Sequence, residues 1–235
     1  MSRFLVVDDN LAFAENLAEI LGDAGDEALV ADSGRRAIEL VQTLRFDGLV
    51  SDMRMPEMNG TEVLRHLRRI DAGLPAIIIT AFTSDHEIDR VRHEGVLGVL
   101  PKPLPVARLL ELLRVARRHA VVAIVEDDRA LADNLREVLQ QHGFASVLVG
   151  SVPEAETLGE LPLFAAIVDL RLPGGPDGEA MRRLATRFPS LPMLVVSAHA
   201  EVLALVPSAR RFIKPFATSA LIDELVQLHH QHAPR

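Results

Sequence analysis

The sequence has no cysteine, tryptophan or tyrosine among its 235 residues, and phenylalanine makes up all of its 4% of Phe, Trp and Tyr. The absence of cysteine excludes disulfides, thiolate metal sites and cysteine nucleophiles. No apolar run approaches the roughly 20 residues needed to cross a bilayer, and the first residues contain no long apolar segment of a signal peptide. These absences predict a cytoplasmic chain that makes no use of a membrane.

An excess of basic residues is also missing. The chain carries 33 acidic against 25 basic residues, for a net charge of −8. Binding to the phosphate backbone of DNA or RNA requires a basic face, and binding to single strands usually adds a platform of aromatic rings. The sequence therefore predicts no direct contact with nucleic acid.

Four segments of the first half of the sequence return in the same order in the second half. The pairs are Val6–Leu17 with Ile124–Leu135, Val50–Pro56 with Ile167–Pro173, Ile78–Ala81 with Val195–Ala198, and Lys102–Pro103 with Lys214–Pro215. A repeat of this kind indicates a duplicated structural unit. The sequence predicts two domains, residues 1–119 and residues 120–235, without a flexible linker between them.

Short apolar runs alternate with stretches of helical periodicity in each copy. The strands predicted in the first copy are Phe4–Val7, Glu27–Ala31, Gly48–Ser51, Ala76–Thr80 and Val96–Leu100. The helices predicted between them lie near residues 11–23, 35–45, 60–70, 85–94 and 105–119. Strands without polar alternation are typical of a parallel sheet that is covered by helices on both faces. Each copy is therefore predicted to be a doubly wound α/β domain of five βα units.

Polar residues follow the predicted strands of the first copy where each strand ends. Asp8 and Asp9 follow the first strand, Asp52 the third, Thr80 the fourth and Lys102 the fifth. The carboxyl ends of parallel strands lie at one edge of the sheet, so these side chains are expected to meet there.

This set of residues predicts phosphoryl chemistry. Three neighbouring carboxylates repel one another and call for a cation, and their hard oxygen ligands suit Mg²⁺. Mg²⁺ would neutralise an incoming phosphoryl group while Asp52 attacks its phosphorus in line. Lys102 would supply positive charge to the product phosphate, and the hydroxyl of Thr80 would donate a hydrogen bond to it.

These motifs resemble the receiver domain of bacterial two-component response regulators, and the resemblance covers essentially the whole chain. In the first copy it rests on Asp8-Asp9, on Asp52 with Met55-Pro56 and Gly60, on Thr80-Ala81 and on Lys102-Pro103. In the second copy it rests on Glu126-Asp127, Asp169 with Leu172-Pro173, Ser197-Ala198 and Lys214-Pro215. The resemblance implies two flavodoxin-like (βα)5 domains, each with a parallel sheet of strand order 2-1-3-4-5.

The resemblance also implies cofactor, partner and site roles. Mg²⁺ would be the cofactor, and a histidine kinase or a histidine phosphotransfer protein would donate the phosphoryl group. Asp52 and Asp169 would be the phosphoacceptors, supported by Thr80 with Lys102 and by Ser197 with Lys214. The implied metal ligands are Asp9 and Asp127 directly, Asp8 and Glu126 through water, and the backbone carbonyls of Arg54 and Arg171, beside the acceptors Asp52 and Asp169.

The copies depart from the family pattern at two places. The family often has an aromatic residue three positions before the lysine, where this chain has Val99 and Arg211, with Phe212 one position later. The second copy is also shorter between Ser197 and Lys214 than the first between Thr80 and Lys102. Helix 4, strand 5 and helix 5 form the commonest output and dimerisation surface of the family, so the resemblance implies that a homodimer through this face of the first domain is possible.

The predicted function is two-component signalling with output through contact with a downstream protein or through a phosphorelay. Only one helix is predicted after Lys214-Pro215, so no fused output domain is expected within this sequence. Two alternatives remain open: the second receiver is an unphosphorylated scaffold, or the chain is a receiver fragment of a larger hybrid kinase or regulator. An aspartyl-phosphate phosphatase usually has a second acid two residues after its nucleophile, where this chain has Arg54 and Arg171. The chain is thus predicted not to be an enzyme beyond self-phosphorylation and slow autodephosphorylation.

Overall fold

The structure is a computed structural model that describes residues 1–81, 85–116, 119–158, 161–199 and 210–232. The chain divides into two compact units, Met1–His119 and Ala120–Arg235. Each unit contains its own five-stranded parallel sheet.

The first unit alternates strands and helices through its whole length. Its strands are β1 (Arg3–Val7), β2 (Glu27–Ala31), β3 (Gly48–Asp52), β4 (Ala76–Thr80) and β5 (Gly98–Pro101). Its helices are α1 (Leu11–Asp23), α2 (Gly34–Thr43), α3 (Gly60–Ile70), α4 (Asp85–Arg92) and α5 (Val106–Val115). The strand order is β2-β1-β3-β4-β5 with parallel pairing. The predicted fold of this unit is confirmed.

The second unit repeats this arrangement. Its strands are β6 (Val121–Val125), β7 (Ala145–Val149), β8 (Leu163–Asp169), β9 (Met193–Ser197) and β10 (Arg210–Ile213). Its described helices are α6 (Arg129–Gln141), α7 (Val152–Ala155), α8 (Glu179–Arg187) and α9 (Thr218–His232), and a 3-10 turn covers Glu156–Leu158. The sheet order β7-β6-β8-β9-β10 is the counterpart of the order in the first unit. The prediction of two doubly wound parallel domains is therefore confirmed.

Buried strands hold each unit together. All five residues of β3 and of β4 are buried, as are all five of β6. Isoleucine and valine side chains of these strands pack against leucines of the helices, for example Ile78 against the core that contains Leu64 and Leu67. Burial on both faces explains why the strands read as continuous apolar runs in the sequence.

Polar side chains fix where several helices begin. Asn59 accepts hydrogen bonds from the backbone N–H groups of Thr61 and Glu62, and the Glu62 carboxylate accepts the N–H of Asn59 at 2.9 Å. This capping box satisfies backbone donors that have no partner inside the helix. Asp128 caps α6 in a similar way by accepting the N–H groups of Ala130 and Leu131.

The end of the fifth helix differs from the prediction. The sequence predicted a helix to about His119, whereas α5 ends at Val115 and Ala116 has an extended backbone with φ −51° and ψ 129°. His119 has a φ of +52°, and its N–H donates to the carbonyl oxygen of Gly73 at 3.1 Å. This long-range hydrogen bond holds His119 in a non-helical backbone conformation. The sequence after Val115 contains no glycine or proline that would predict the end of the helix.

Other element ends differ from the predictions by one or two residues. The fifth strand was predicted over Val96–Leu100 and lies over Gly98–Pro101. Just before it, the N–H of Leu97 donates to the carbonyl oxygen of Ala76 at 2.8 Å. In the described parts of the chain, no helix has the length and apolar character required to cross a membrane.

Candidate functional site

The carboxyl edge of the first sheet brings together four of the predicted residues, which are Asp8, Asp52, Thr80 and Lys102. The strand register places Val7 beside Ser51, Asp52 beside Ile79 and Thr80 beside Pro101, so the chain leaves all these strands at one level. Lys102 extends back across this edge. Its Nζ lies 2.9 Å from Oδ2 of Asp8 and 2.7 Å from Oδ1 of Asp52.

The two carboxylates in this cluster are buried and hydrogen-bonded. Asp8 is 2% exposed and Asp52 is 7% exposed. The second oxygen of Asp8 accepts the N–H of Asn10 at 2.9 Å, and the second oxygen of Asp52 accepts the N–H of Arg54 at 3.0 Å. Buried carboxylates need such partners, because an unpaired charge away from water is strongly destabilising.

The acidic surroundings change the proton affinity of the lysine. Burial lowers the pKa of Lys102, but the hydrogen bonds and the negative charges of Asp52 and Asp8 outweigh it, and the pKa of the ammonium group is raised. Lys102 is thus held in its charged form between two carboxylates. Its backbone N–H donates to the carbonyl oxygen of Thr80 at 2.7 Å, which connects the predicted hydroxyl residue to the same loop.

The second unit builds the same cluster with one acid lengthened to glutamate. Nζ of Lys214 lies 2.6 Å from Oε2 of Glu126 and 2.5 Å from Oδ2 of Asp169. The N–H of Arg171 donates to the other oxygen of Asp169 at 2.9 Å. The N–H of Lys214 donates to the carbonyl oxygen of Ser197 at 2.9 Å, as Lys102 does to Thr80.

The carboxyl group of Glu126 has a pKa above the ordinary value of a glutamate. Burial raises the pKa of its carboxyl group, and the negative charge of Asp169 adds to this effect. The hydrogen bond and the positive charge of Lys214 act in the opposite direction without reversing it. A second cation at this site would relieve the repulsion between the two carboxylates.

Three acids of the second unit are arranged so that they could hold such a cation. Glu126, Asp127 and Asp169 each offer an oxygen, and these oxygens all lie within 4.8 Å of one another. Glu126 and Asp169 are buried and Asp127 is exposed, so one side of the cluster opens to water. Oxygen ligands with room for water fit Mg²⁺. Within the described part of the chain, no other acidic trio, including Asp8, Asp9 and Asp52, meets this limit.

Two arginines that follow the acceptor aspartates point to different partners. Arg54 pairs with Glu87 on α4 at 2.9 Å, whereas Arg171 pairs with Asp177 in its own loop at 3.1 Å. Nη1 of Arg171 also lies 2.6 Å from Nε2 of His199. The backbone N–H of His199 donates to the hydroxyl of Ser197 at 3.1 Å. The backbone carbonyls of Arg54 and Arg171 remain predicted metal ligands.

The predicted differences between the copies are described in part. Val99 is half-buried against the core of the first unit, and Arg211 is exposed on β10. Phe212, the next residue, packs on the core of the second unit and contacts the ring of Phe216. The shortened segment of the second copy, near residues 200–206, lies outside the described residues.

Two features of the sites were missed in the sequence. The ring of Phe13 faces Nζ of Lys102 with 4.7 Å between the nitrogen and the ring centroid. A comparison of the two copies could have drawn attention to Phe13, because the equivalent position of the second copy is Leu131. The chain also contains only two lysines, Lys102 and Lys214, and both lie in these clusters.

The sequence pattern of the response regulator receiver domain matches this chain twice, over residues 4–114 and residues 122–226. The chain belongs to the receiver domain family. Membership gives it a part in two-component signalling, in which receiver domains accept phosphoryl groups, and the family is in general not enzymatic. The two units are hereafter called the first and second receiver domains.

One relative matches nearly the whole chain. A response regulator receiver protein of Anaeromyxobacter sp. (strain Fw109-5) is 52% identical over 231 residues, which are 98% of this chain and 97% of the relative. This match includes both receiver domains.

Other relatives match one half of the chain. Response regulator MprA of Mycolicibacterium vanbaalenii is 37% identical over 117 residues, which are 50% of this chain and 51% of MprA. A solved receiver domain of the Francisella response regulator 1452 is 27% identical and covers 49% of this chain and 95% of its own length, with a TM-score of 0.47. The match thus spans about half the length of MprA.

Proposed function

We propose that both receiver domains accept a phosphoryl group in a Mg²⁺-dependent reaction, on Asp52 in the first and on Asp169 in the second. The observation that carries the proposal is the paired contact of one lysine with two buried carboxylates in each domain. A donor of the histidine kinase or histidine phosphotransfer class fits this chemistry, because its phosphoramidate can transfer to a carboxylate.

The transfer exchanges one bond to phosphorus for another. An oxygen of Asp52 forms the O–P bond while the N–P bond of the donor histidine breaks, and the leaving imidazole nitrogen keeps the bonding electrons and takes a proton from solvent. Bound Mg²⁺ would neutralise the oxygens of the phosphoryl group during this transfer. The N–H of Arg54 holds one carboxylate oxygen, which fixes the plane of the nucleophile.

The lysine has a second role in this proposal. Before transfer, Lys102 neutralises Asp8 and Asp52, and after transfer it would bind an oxygen of the new phosphate. The hydroxyl of Thr80, which ends the neighbouring strand, would donate to another phosphate oxygen. Lys214 and Ser197 would perform these steps in the second domain. Asp9 and Asp127, with Asp8 and Glu126 near them, would hold the metal.

The raised pKa of Glu126 favours a further cation in the second domain. The ion pairs of Lys214 with Glu126 and Asp169 instead fit the alternative, a scaffold in which Lys214 takes the place of the metal. Output would occur through contact with a downstream protein or through a phosphorelay in the cytoplasm. A homodimer through α4, β5 and α5 of the first domain belongs to the same proposal.

The test is phosphorylation of the full chain by a small-molecule acyl phosphate with and without Mg²⁺, read by intact mass. The samples are wild type, Asp52→Asn, Asp169→Asn and the double variant. Two phosphates on wild type, one on each single variant and none on the double variant are expected. Loss of all phosphate with Asp52→Asn alone would make the second domain a scaffold, and unmodified wild type with Mg²⁺ would refute the proposal for both domains.

A further inference from the structure

The Phe13 ring gives Lys102 a third contact that the second domain does not reproduce. Phe13 is in the first turn of α1, where its N–H donates to Oδ1 of the capping residue Asn10 at 3.2 Å. From there the ring faces the ammonium group at 4.7 Å. This distance is within the roughly 6 Å over which the negative face of a ring attracts a cation.

We propose that Phe13 is a positioning residue of the first phosphoacceptor site, which holds the Lys102 ammonium group over Asp8 and Asp52. This inference rests on the function proposed above for Lys102. Phe13 would not touch the phosphoryl group itself. It would act by limiting the positions that the flexible lysine side chain can take.

The contact with the ring differs from the two ion pairs in its response to phosphorylation. When Asp52 becomes an acyl phosphate, the partner of Lys102 changes from a carboxylate oxygen to a phosphate oxygen. The attraction of the ring does not depend on the charge of Asp52, so it persists through this exchange. The ammonium group therefore remains close to the site while its partner changes.

The second domain provides a natural comparison. Leu131 stands at the position of Phe13, and no ring faces Lys214 among the residues that the structure describes. Lys214 is held by its two ion pairs, with Glu126 and Asp169. Each lysine is thus fixed by a different balance of ring contact and ion pairing.

The composition of the chain makes the contact directly measurable. Lys102 and Lys214 are its only lysines, so labelling with ¹³C-lysine gives one side-chain signal from each domain. A methylene group above an aromatic face is shifted upfield by the ring current, and Lys214 is the internal reference. We expect the Lys102 ε-methylene protons upfield of those of Lys214 in wild type, and close to them in Phe13→Leu.

The functional test uses the full chain with Asp169→Asn, so that phosphate reports on Asp52 alone. Phe13→Leu is expected to slow phosphorylation by acyl phosphate roughly two- to five-fold, the range of an exposed cation–ring contact. Phe13→Tyr keeps the ring and is expected to restore both the rate and the upfield shift. If Phe13 only stabilised the fold, Phe13→Leu would not change the rate or the lysine signal unless it also changed the unfolding curve.

The outcomes separate this inference from the proposed function. An Asp169→Asn chain that takes no phosphate overturns the proposed function of the first domain and the role of Phe13 with it. Phosphorylation that proceeds at the same rate in Phe13→Leu overturns the role of Phe13 and leaves the proposed function standing. Coincident Lys102 and Lys214 signals in wild type overturn the contact itself.

Discussion

Gly60 lies so close to the backbone of Asp52 that a side chain would not fit between them. A Cβ at Gly60 would be 2.3 Å from the carbonyl oxygen of Asp52 and 3.2 Å from Oγ of Ser51. The N–H of Gly60 donates to the carbonyl oxygen of Met53 at 3.0 Å, which keeps the start of α3 against the end of β3. The position of the acceptor residue therefore depends on the absence of a side chain at the first residue of α3.

Replacement of Gly60 by alanine is expected to destabilise the first domain by about 1–3 kcal/mol, because an inserted methyl group must displace backbone atoms. Hydrogen exchange of the full chain measures this effect in each domain separately. Amides of β3 and β4 should exchange faster in Gly60→Ala, whereas those of β6 and β8 serve as the internal standard.

Gly22 is the matched control for this substitution. It lies in α1, and a Cβ there would meet no atom within 4 Å. Gly22→Ala is expected to leave the first domain as stable as before or more stable by up to about 1 kcal/mol, since alanine favours the helix. Equal destabilisation by both substitutions would show that the close approach to Asp52 is not the cause.

The site residues that could be predicted from the sequence are those that directly follow a recognisable strand. Asp52, Thr80 and Lys102 follow buried strands, and parallel pairing brings strand ends to one edge, so their meeting required no knowledge of packing. The end of α5 at Val115 could not be predicted, because the residues that follow have good helix propensity and the contact of His119 with Gly73 is long-range. The contact of Phe13 with Lys102 joins residues far apart in the sequence, so the difference between Phe13 and Leu131 of the second copy was not enough to predict it.

Asp127 is expected to be a ligand of Mg²⁺ in the second domain, and its neighbour Asp128 is not. Asp128 instead caps α6, and asparagine performs this role equally well. Asp127→Asn should weaken Mg²⁺ binding by at least roughly tenfold, because loss of an outer-shell partner alone has effects of this size. Asp128→Asn should bind as wild type does.

Backbone amide signals near Asp169 follow this binding during a Mg²⁺ titration by NMR. Saturating metal should also raise the unfolding free energy of the second domain, by about 2.7 kcal/mol at a hundred times the dissociation constant. A chelator should reverse both effects. Unchanged binding in Asp127→Asn would remove this residue from the metal site.

Lys102 is expected to make the stability of the first domain fall in alkaline solution. Its pKa is raised above the ordinary 10.5 in the folded chain, where the opposing effect of burial is outweighed by Asp52 and Asp8. A raised pKa of a base stabilises the fold fully below the unfolded-state value and loses this contribution as the pH rises through the folded-state value. The wild type should therefore lose stability faster than Lys102→Met above pH 10.5.

Urea unfolding in the presence of a chelator, from neutral pH to well above 10.5, measures this difference without interference from metal. Lys214→Met tests the second domain in the same way, because the pKa of Lys214 is also raised despite burial, by Asp169 and Glu126. Parallel curves for wild type and both variants would contradict the prediction.

Arg68 is expected to hold the end of α4 in the first domain. Its guanidinium group, on α3, donates to the carbonyl oxygens of Glu94 and Gly95, the latter at 2.8 Å. These carbonyls follow the last turn of α4, where the helix supplies no donors. Burial lowers the pKa of Arg68 to about 10, with the charge of Glu94 opposing the shift, so the group stays charged at neutral pH.

Arg68→Met keeps most of the side-chain volume and removes the donors, which leaves carbonyl oxygens unsatisfied at about 1–3 kcal/mol. Hydrogen exchange at the α4–β5 connection should accelerate by roughly 5- to 150-fold, because 1.4 kcal/mol corresponds to a factor of ten. Arg69→Met changes the exposed neighbour on the same helix and should have no such effect. The acceptor loop also contacts α4 through the Arg54–Glu87 ion pair, so a loosened α4 in Arg68→Met would show that this ion pair does not hold the helix without Arg68. Exchange that stays at the wild-type rate would mean that Arg54 and the packing of α4 suffice without Arg68.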